Sequence, residues 1–381
     1  MIKILYWTPF FLPDIGGIET LSAKLLPDLQ KRNYDIAVLT SHGRYGMADK
    51  TEFNGIPVFR FSFRDVFGNH DLRQLFKLRE QVIKLKQSFK PDFIHVHMSD
   101  PSVFFHLSTL SAFPAPTIVT IHHDTKPPGF RGRTDTLLGN TLRMAEWVTA
   151  VSKATLSDLI HIEPEIKNRS SVIYNGLDSL DVIPATLPFD PPRIMCMGRL
   201  IPAKGVDLAI TAFSSLLNRF PRARLTIVGE GPEQVHLERQ ALTLGLTDSV
   251  EFVGRVEPEE VPAVINQATV VIMPSRTEGF PMGALEAARM ARPVVATPVG
   301  GLAEAIIHQQ TGLIVEKENS SAVAEAVSFL LEHPDVAVRM GQAARSQVLQ
   351  TFSLKSCVDS YDMLYRRLIR GTPHTSVLME Q

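Results

Sequence analysis

Apolar positions along this chain follow two alternating rhythms. Short apolar runs read as strands, and longer stretches with apolar residues three and four apart read as helices. Ile2 to Trp7 predicts a strand, Ile18 to Lys31 a helix through Leu21, Leu25, Leu26 and Leu29, and Tyr34 to Thr40 a second strand. Gly55 to Arg60 is short and strand-like. Leu72 to Lys90 predicts a long helix, with Leu75, Leu78, Val82, Leu85 and Phe89 on one stripe and Pro91 as its stop. Phe93 to His97, Thr117 to Ile121, Trp147 to Val151 and Ser171 to Tyr174 complete the strands of the first half, with a helix ending near Glu146.

Asp181 to Pro192 carries four prolines and little periodicity, so it reads as a linker. After it the alternation restarts. Arg193 to Met197, Arg224 to Val228, Val250 to Val253, Val270 to Met273 and Pro293 to Thr297 read as strands. Asp207 to Arg219, Glu233 to Leu244, Glu259 to Gln267 and Ser321 to Leu331 read as helices. This alternation predicts an α/β protein with two doubly wound, mostly parallel sheets and a deep cleft between them. The expected domains are 1–184, 185–355 and a terminal brace at 356–381, where Val358, Tyr361, Leu364 and Leu368 have helical spacing.

The stretch Thr277 to Gly301 concentrates candidate chemistry. Glu278 precedes a Gly-Phe-Pro turn, and Glu286 lies in an Ala-rich helix between two apolar runs. Eight residues turn a helix by about 800°, so both carboxylates would lie within roughly 80° of one another if both were helical. Gly279 and Pro281 instead put Glu278 in the loop before the helix. One carboxylate then sits at the helix mouth and the other about two turns in. Both would reach a crevice at the carboxyl ends of parallel strands, where open α/β sheets bind ligands.

Composition narrows the class. A chain of 381 residues with 44% hydrophobic and 21% charged residues is globular, and its length suits two domains. A formal charge of -1 gives no whole-chain case for nucleic acid. Cys196 and Cys357 form neither a metal spacing nor a disulfide framework. The opening MIKILYWTPF reads as a first strand rather than a signal peptide, and no apolar window is long enough to span a bilayer. A cytoplasmic protein, able to lie peripherally on the inner face of a membrane, is expected.

An anion site must therefore be local. Gly198-Arg199 closes a strand and Lys204-Gly205 opens the next helix, so Arg199 and Lys204 would bracket a strand-end loop on the side of Glu278. A guanidinium fork and a mobile ammonium suit a diphosphate. Gly16-Gly17 precedes the first long helix and offers exposed amides. Gly229-Glu230-Gly231 is a further strand-end turn. The phosphate-loop and dinucleotide signatures are absent. His95, His97, His122 and His123 invite a metal reading, but no Cys or carboxylate spacing completes a site. No Asp-x-Asp stands at a strand end to hold an ion on a diphosphate, so no metal and no cofactor are expected.

The ordered set GGIET, TIHHD, VSKATLSDLI, YNGLD, MGRLIPAKG, IVGEGP, FVGRV, E-x7-E and TGLIVE resembles the retaining glycosyltransferases of family 4. These enzymes have the GT-B fold of two Rossmann-like domains. The likeness covers nearly the whole chain. It implies transfer of a sugar from a nucleotide-diphosphate sugar to an acceptor hydroxyl. Glu278, with the amides of Gly279 and Phe280, would contact the donor sugar, and Glu286 the ribose. Arg199 and Lys204, beside Gly198, would hold the diphosphate, approached by Gly16 and Gly17. Gly229 and the amides near Arg255 and Val256 would lie near the base. His122 would stand near the reacting centre. Asn175, Gly176 and Asp178 would shape the cleft.

The acceptor is less legible. Helix Leu72 to Lys90 carries Arg73, Lys77, Arg79, Lys84, Lys86 and Lys90 against Glu80 alone, a net charge of +5. Such a helix can lie on an anionic membrane or be a core stripe under a basic solvated face. Lys126, Arg131 and Arg133 add charge on the presumed acceptor side and suit a lipid-linked or otherwise anionic glycan precursor. A nucleotide-sugar hydrolase or epimerase, or a non-catalytic nucleotide-sugar-binding scaffold, are the alternatives.

Overall fold

The computed structural model describes residues 1–43, 45–69, 72–98, 101–123, 136–178 and 182–370. The chain forms two compact units. The first comprises Met1–Gly176 together with the segment from Leu354, and the second Leu177–Ser353.

The first unit holds an eight-stranded sheet: β1 Ile2–Trp7, β2 Tyr34–Ser41, β3 Lys50–Phe53, β4 Ile56–Phe61, β5 Phe93–Met98, β6 Thr117–Ile121, β7 Trp147–Ala150 and β8 Ser170–Val172. Their order is β3-β4-β2-β1-β5-β6-β7-β8. Every pair is parallel except β3 with β4. That hairpin turns at Asn54-Gly55, both at positive φ, as a tight primed turn requires.

Strand alternation sorts β1 to two faces. Leu5 and Trp7 join a core with Val82, Leu85 and Phe105, whereas Ile4 and Tyr6 join one with Leu25, Leu29 and Tyr361. The second core is closed by the helix Leu354–Ile369, which buries Cys357, Val358, Tyr361, Leu364 and Tyr365 at helical spacing. Val358 and Leu364 each contribute about 1.5–3 kcal/mol by burial. Polar edges fix its register: Arg32 pairs with Asp359, and the Tyr34 hydroxyl donates to Asp362 at 2.6 Å. The terminal brace thus packs within the first unit, and the helix begins at Leu354.

The second unit holds β9 Arg193–Met197, β10 Arg224–Val228, β11 Val250–Gly254, β12 Val270–Met273, β13 Val294–Ala296 and β14 Gly312–Ile314. The sheet is wholly parallel in the order β11-β10-β9-β12-β13-β14. Helices Val206–Leu216 and Ser320–Glu332 cover one face through Ile210, Phe213, Val323 and Val327. The chain leaves β9 in one direction, returns, and continues from β12 in the other. The carboxyl ends of β9 and β12 therefore flank a topological switch point, and in the first unit those of β1 and β5 do the same.

Candidate functional site

At the β9/β12 switch point two loops converge. After β9 the chain passes Gly198-Arg199, makes a short turn at Pro202–Lys204 and enters the helix Val206–Leu216. After β12 it passes Pro274 to Pro281 before the helix Met282–Arg289. The Lys204 ammonium donates to Glu278 Oε1 at 2.6 Å, and the Ser275 hydroxyl donates to the same oxygen at 3.0 Å. The Glu278 side chain is 6% exposed and that of Lys204 25%, so the cation is the more accessible partner. Three residues separate Glu278 from the helix, which keeps its carboxylate at the helix mouth.

Arg276 staples the loops together. Its guanidinium donates to both oxygens of Asp207, at 2.8 and 2.7 Å, to both of Glu318, at 2.8 and 3.1 Å, and to the Pro202 carbonyl at 2.7 Å. Its amide donates to Ala203 O at 2.7 Å. The guanidinium holds the Asp207 carboxyl below its usual range. Thr297 Oγ1 donates to the Ser275 carbonyl at 2.5 Å. Sequence reading did not identify Ser275, Arg276, Asp207, Thr297 or Glu318, because their importance lies in contacts between segments far apart in the chain.

Two glycines are demanded by these approaches. Gly229 has φ +136°, and a Cβ there would meet Gly198 O at 1.9 Å; Gly300 has φ +49°, and a Cβ would meet Glu278 O at 1.7 Å. Amides step across the strand ends, with Gly198 N donating to Val228 O at 2.9 Å and Gly229 N to Gly254 O at 2.8 Å. On the other flank, Gly301 N donates to Gly279 O at 2.9 Å. Close packing of backbone on backbone at these glycines thus holds the strand-end loops beside Lys204 and Glu278.

The remaining predicted residues are spread around this centre. Arg199 is exposed at the end of β9 and makes no ion pair among the described residues. Glu286 is half-buried on its helix. The Phe280 ring is buried against Phe352, 5.3 Å between centroids. Arg255 and Val256 follow β11, with Arg255 Nε 3.4 Å from Glu257 Oε1. Asp178 pairs with Arg289 at 3.1 Å. Lys126, Arg131 and Arg133 lie outside the described residues.

In the first unit, Gly16 and Gly17 start the helix Gly17–Lys31, and the Glu19 carboxylate folds back against Gly16. Near the carboxyl ends of β5 and β6, His97 Nδ1 and His122 Nε2 lie 2.6 Å apart with stacked rings. His95 is occupied by the Tyr365 hydroxyl at 2.6 Å and Thr120 Oγ1 at 2.7 Å. Burial pushes His95 and His122 down to about 3, aided by neighbouring imidazoles, and His97 well below its usual range. All three are neutral imidazoles near neutral pH. Among the described residues no three His, Cys, Asp or Glu side chains are grouped to hold a metal ion.

The basic helix corrects one expectation. Leu78, Val82 and Leu85 are buried in the core, and so is Lys86. The Lys86 ammonium lies 2.7 Å from Thr109 Oγ1 and 3.0 Å from His106 Nδ1, so it is no part of a solvated basic face. Burial without a carboxylate pushes its pKa down to about 7. Leu72 and Phe76 point outward instead, 68% and 61% exposed.

Comparisons with known proteins agree in kind. Residues 15–179 match the family described as Glycosyltransferase Family 4, and residues 183–347 that described as Glycosyl transferases group 1. A glycogen synthase of Mycobacterium tuberculosis is 29% identical over 77% of this chain and 73% of its own. A GDP-mannose-dependent alpha-(1-6)-phosphatidylinositol monomannoside mannosyltransferase of the same species is 40% identical over 41% of this chain and 43% of its own. Among solved structures, Anabaena HepE in complex with UDP-glucose superposes with a TM-score of 0.79 at 22% identity, covering 96% of this chain and 100% of that one.

Proposed function

We propose that this chain, a glycosyltransferase of the GT-B fold related to the family 4 and group 1 enzymes, transfers a sugar from a nucleotide-diphosphate sugar to an acceptor hydroxyl with retention of anomeric configuration and without a metal ion. The observation that carries this reading is the contact of Lys204 with Glu278 at the β9/β12 switch point, beside the glycine turns at Gly198, Gly229 and Gly300. One partly accessible cation and one buried carboxylate at the ends of parallel strands suit a ligand with a diphosphate at one end and hydroxyls at the other.

In this reading Lys204 and Arg199 bind the diphosphate. As the sugar-phosphate bond lengthens, charge grows on the leaving group, and both cations stabilise it more than the ground state. Lys204 has to share or exchange Glu278 for the phosphate as donor enters. Glu278 and the amides of Gly279 and Phe280 orient the sugar, Glu286 takes the ribose hydroxyls, and Gly229 with Arg255 and Val256 lines the base. The acceptor attacks from the face the diphosphate leaves, and the departing phosphate oxygen takes its proton. Neither glutamate acts as a nucleophile. His122, kept neutral by burial, is a hydrogen-bonding group rather than a proton carrier.

A second reading concerns the acceptor. Exposed Leu72 and Phe76 beside exposed Arg73 and Lys77 favour an anionic membrane surface, and hence a lipid-linked acceptor. The test is incubation with UDP-, GDP- and ADP-sugars, with and without lipid-linked acceptors on anionic vesicles. Acceptor-dependent release of nucleoside diphosphate supports transfer. Donor loss without acceptor supports a hydrolase, and binding without turnover a scaffold.

A further inference from the structure

We propose that the second unit carries a further ligand site, on one face of β9, β10 and β11, that binds a small phosphorylated sugar. This site is separate from that of Lys204 and Glu278 and does not depend on glycosyl transfer. Arg193 opens β9, whereas Gly198 and Arg199 follow its carboxyl end, about 13 Å of strand away.

Side-chain alternation sorts these strands to two faces. Ile194 and Cys196 of β9, Leu225 and Ile227 of β10, and Val250 and Phe252 of β11 meet one core. The helix Gln234–Thr243 joins that core through Leu237 and Ala241. Arg193, Met195, Arg224, Thr226, Glu251 and Val253 therefore stand on the opposite face. There the connection from β11 to β12 supplies one helix, Val261–Ile265, of five residues. Fewer than two turns cannot cover the face. Glu251 and Val253 are left exposed, and a cavity of about 230 Å³ remains against Val264 of that helix.

The walls of this cavity are mixed. Met195, Val253 and Val264 are apolar, and Arg193, Thr226, Glu251 and Gln267 are polar. None of these four polar side chains has a hydrogen bond or ion pair among the described residues. Arg193 pairs in register with Arg224, so two exposed guanidinium side chains start neighbouring strands about 4.8 Å apart. Neither has a carboxylate partner among the described residues, and Arg224 donates to Ala223 O at 3.1 Å. Adjacent like charges repel, and a phosphate to which both fork relieves that repulsion. The next row on the same face runs Met195, Thr226, Glu251. An ionised Glu251 only accepts hydrogen bonds, so it suits a hydroxyl and rejects a second anionic group. Apolar Met195 and Val253 suit the carbon face of a ring. The volume lies just under the roughly 300 Å³ at which pockets for drug-sized ligands begin, which fits a monosaccharide better than a nucleotide.

Equilibrium dialysis of the full chain tests the site, with glucose 6-phosphate, mannose 6-phosphate, glucose 1-phosphate and inorganic phosphate as probes. Excess nucleoside diphosphate is kept present to occupy any donor site. At least one sugar phosphate should bind, one per chain and about tenfold or more tighter than inorganic phosphate. Arg193→Ala should weaken that binding about tenfold or more, the loss of a charge-assisted contact, and Val264→Trp should abolish it by filling the cavity. Glu251→Gln should weaken the sugar phosphate and spare inorganic phosphate, a result that decides the matter even if Val264→Trp fails to fold. Three results would overturn the proposal: no sugar phosphate binding more tightly than inorganic phosphate, binding that nucleoside diphosphate displaces, or affinity unchanged in Arg193→Ala.

Discussion

Replacing Lys86 with Met should stabilise the first unit at neutral pH and remove a pH dependence that the wild type shows. Lys86 is fully buried and contacts Thr109, His106 and the face of Trp7, with its pKa pushed from 10.5 down to about 7 by burial. The unfolded chain restores the ordinary value, so between these pH values it binds more protons than the folded chain. Unfolding free energy must then rise with pH. At about pH 7 the burden of charging the buried amine is roughly 4 kcal/mol, falling by about 1.5 kcal/mol on reaching about pH 8.5. Above that, the buried Cys357 thiol and Tyr361 phenol oppose the trend, since both are raised and favour the folded state only while their unfolded counterparts stay protonated. Subtracting the variant from the wild type cancels those groups. Met leaves His106 Nδ1 without its donor, a cost of about 1 kcal/mol, so the variant should gain roughly 2–3 kcal/mol at pH 7. Trp7 and Trp147, the only tryptophans, both lie in the first unit, so tryptophan fluorescence during denaturant titration isolates its unfolding. Parallel stability curves for the two proteins between about pH 7 and pH 8.5 would refute the reasoning.

Four further outcomes concern the candidate site. Arg276→Ala should destabilise the second unit by about 1–3 kcal/mol, read by calorimetric unfolding, and cut turnover at least about tenfold by releasing the loops of Lys204 and Glu278. Lys204→Ala or Arg199→Ala should fold normally and lose roughly tenfold to a hundredfold in kcat/KM, and near-wild-type kinetics in either would remove that residue from its role. Titration calorimetry with nucleoside diphosphate should show binding weakened in Glu286→Ala and spared in Glu278→Ala, where Lys204 is freed from its carboxylate. The opposite result exchanges the two assignments. Activity should survive excess EDTA, and loss restored by Mg²⁺ or Mn²⁺ would mean that the cations are not the whole diphosphate clamp.

Buried parallel strands were the most legible parts of the sequence, because burial on both faces leaves uninterrupted apolar runs. Ile2–Trp7 and Thr117–Ile121 have the ends expected. The edge strand Lys50–Phe53 was not read, since its alternation is short and half-exposed, although Asn54-Gly55 signalled the hairpin. Helices Lys153–Ile162 and Pro334–Thr351 were also unread, despite Ser152 accepting the Thr155 amide and Pro334 opening the second. Within the site, Lys204 and Glu278 were legible from strand-end position. Their direct contact was not, and neither was Arg276, whose partners lie 69 and 42 residues away. Lys86 shows the converse. Its spacing placed it among basic surface residues, and only the helix Val103–Ser108, which carries His106, explains its burial.

The helix Leu354–Ile369 has a consequence for how the protein is made. It completes the core of the first unit, yet the ribosome delivers it only after all 177 residues of the second. Leu177–Ser353 can finish folding while the first unit still lacks Val358, Tyr361 and Tyr365. During that interval Tyr34 and His95 have no phenol or carboxylate to meet, and an apolar face stands open to water and to other nascent chains. Order of assembly is thus inverted relative to order of synthesis: the first half begun is the last completed.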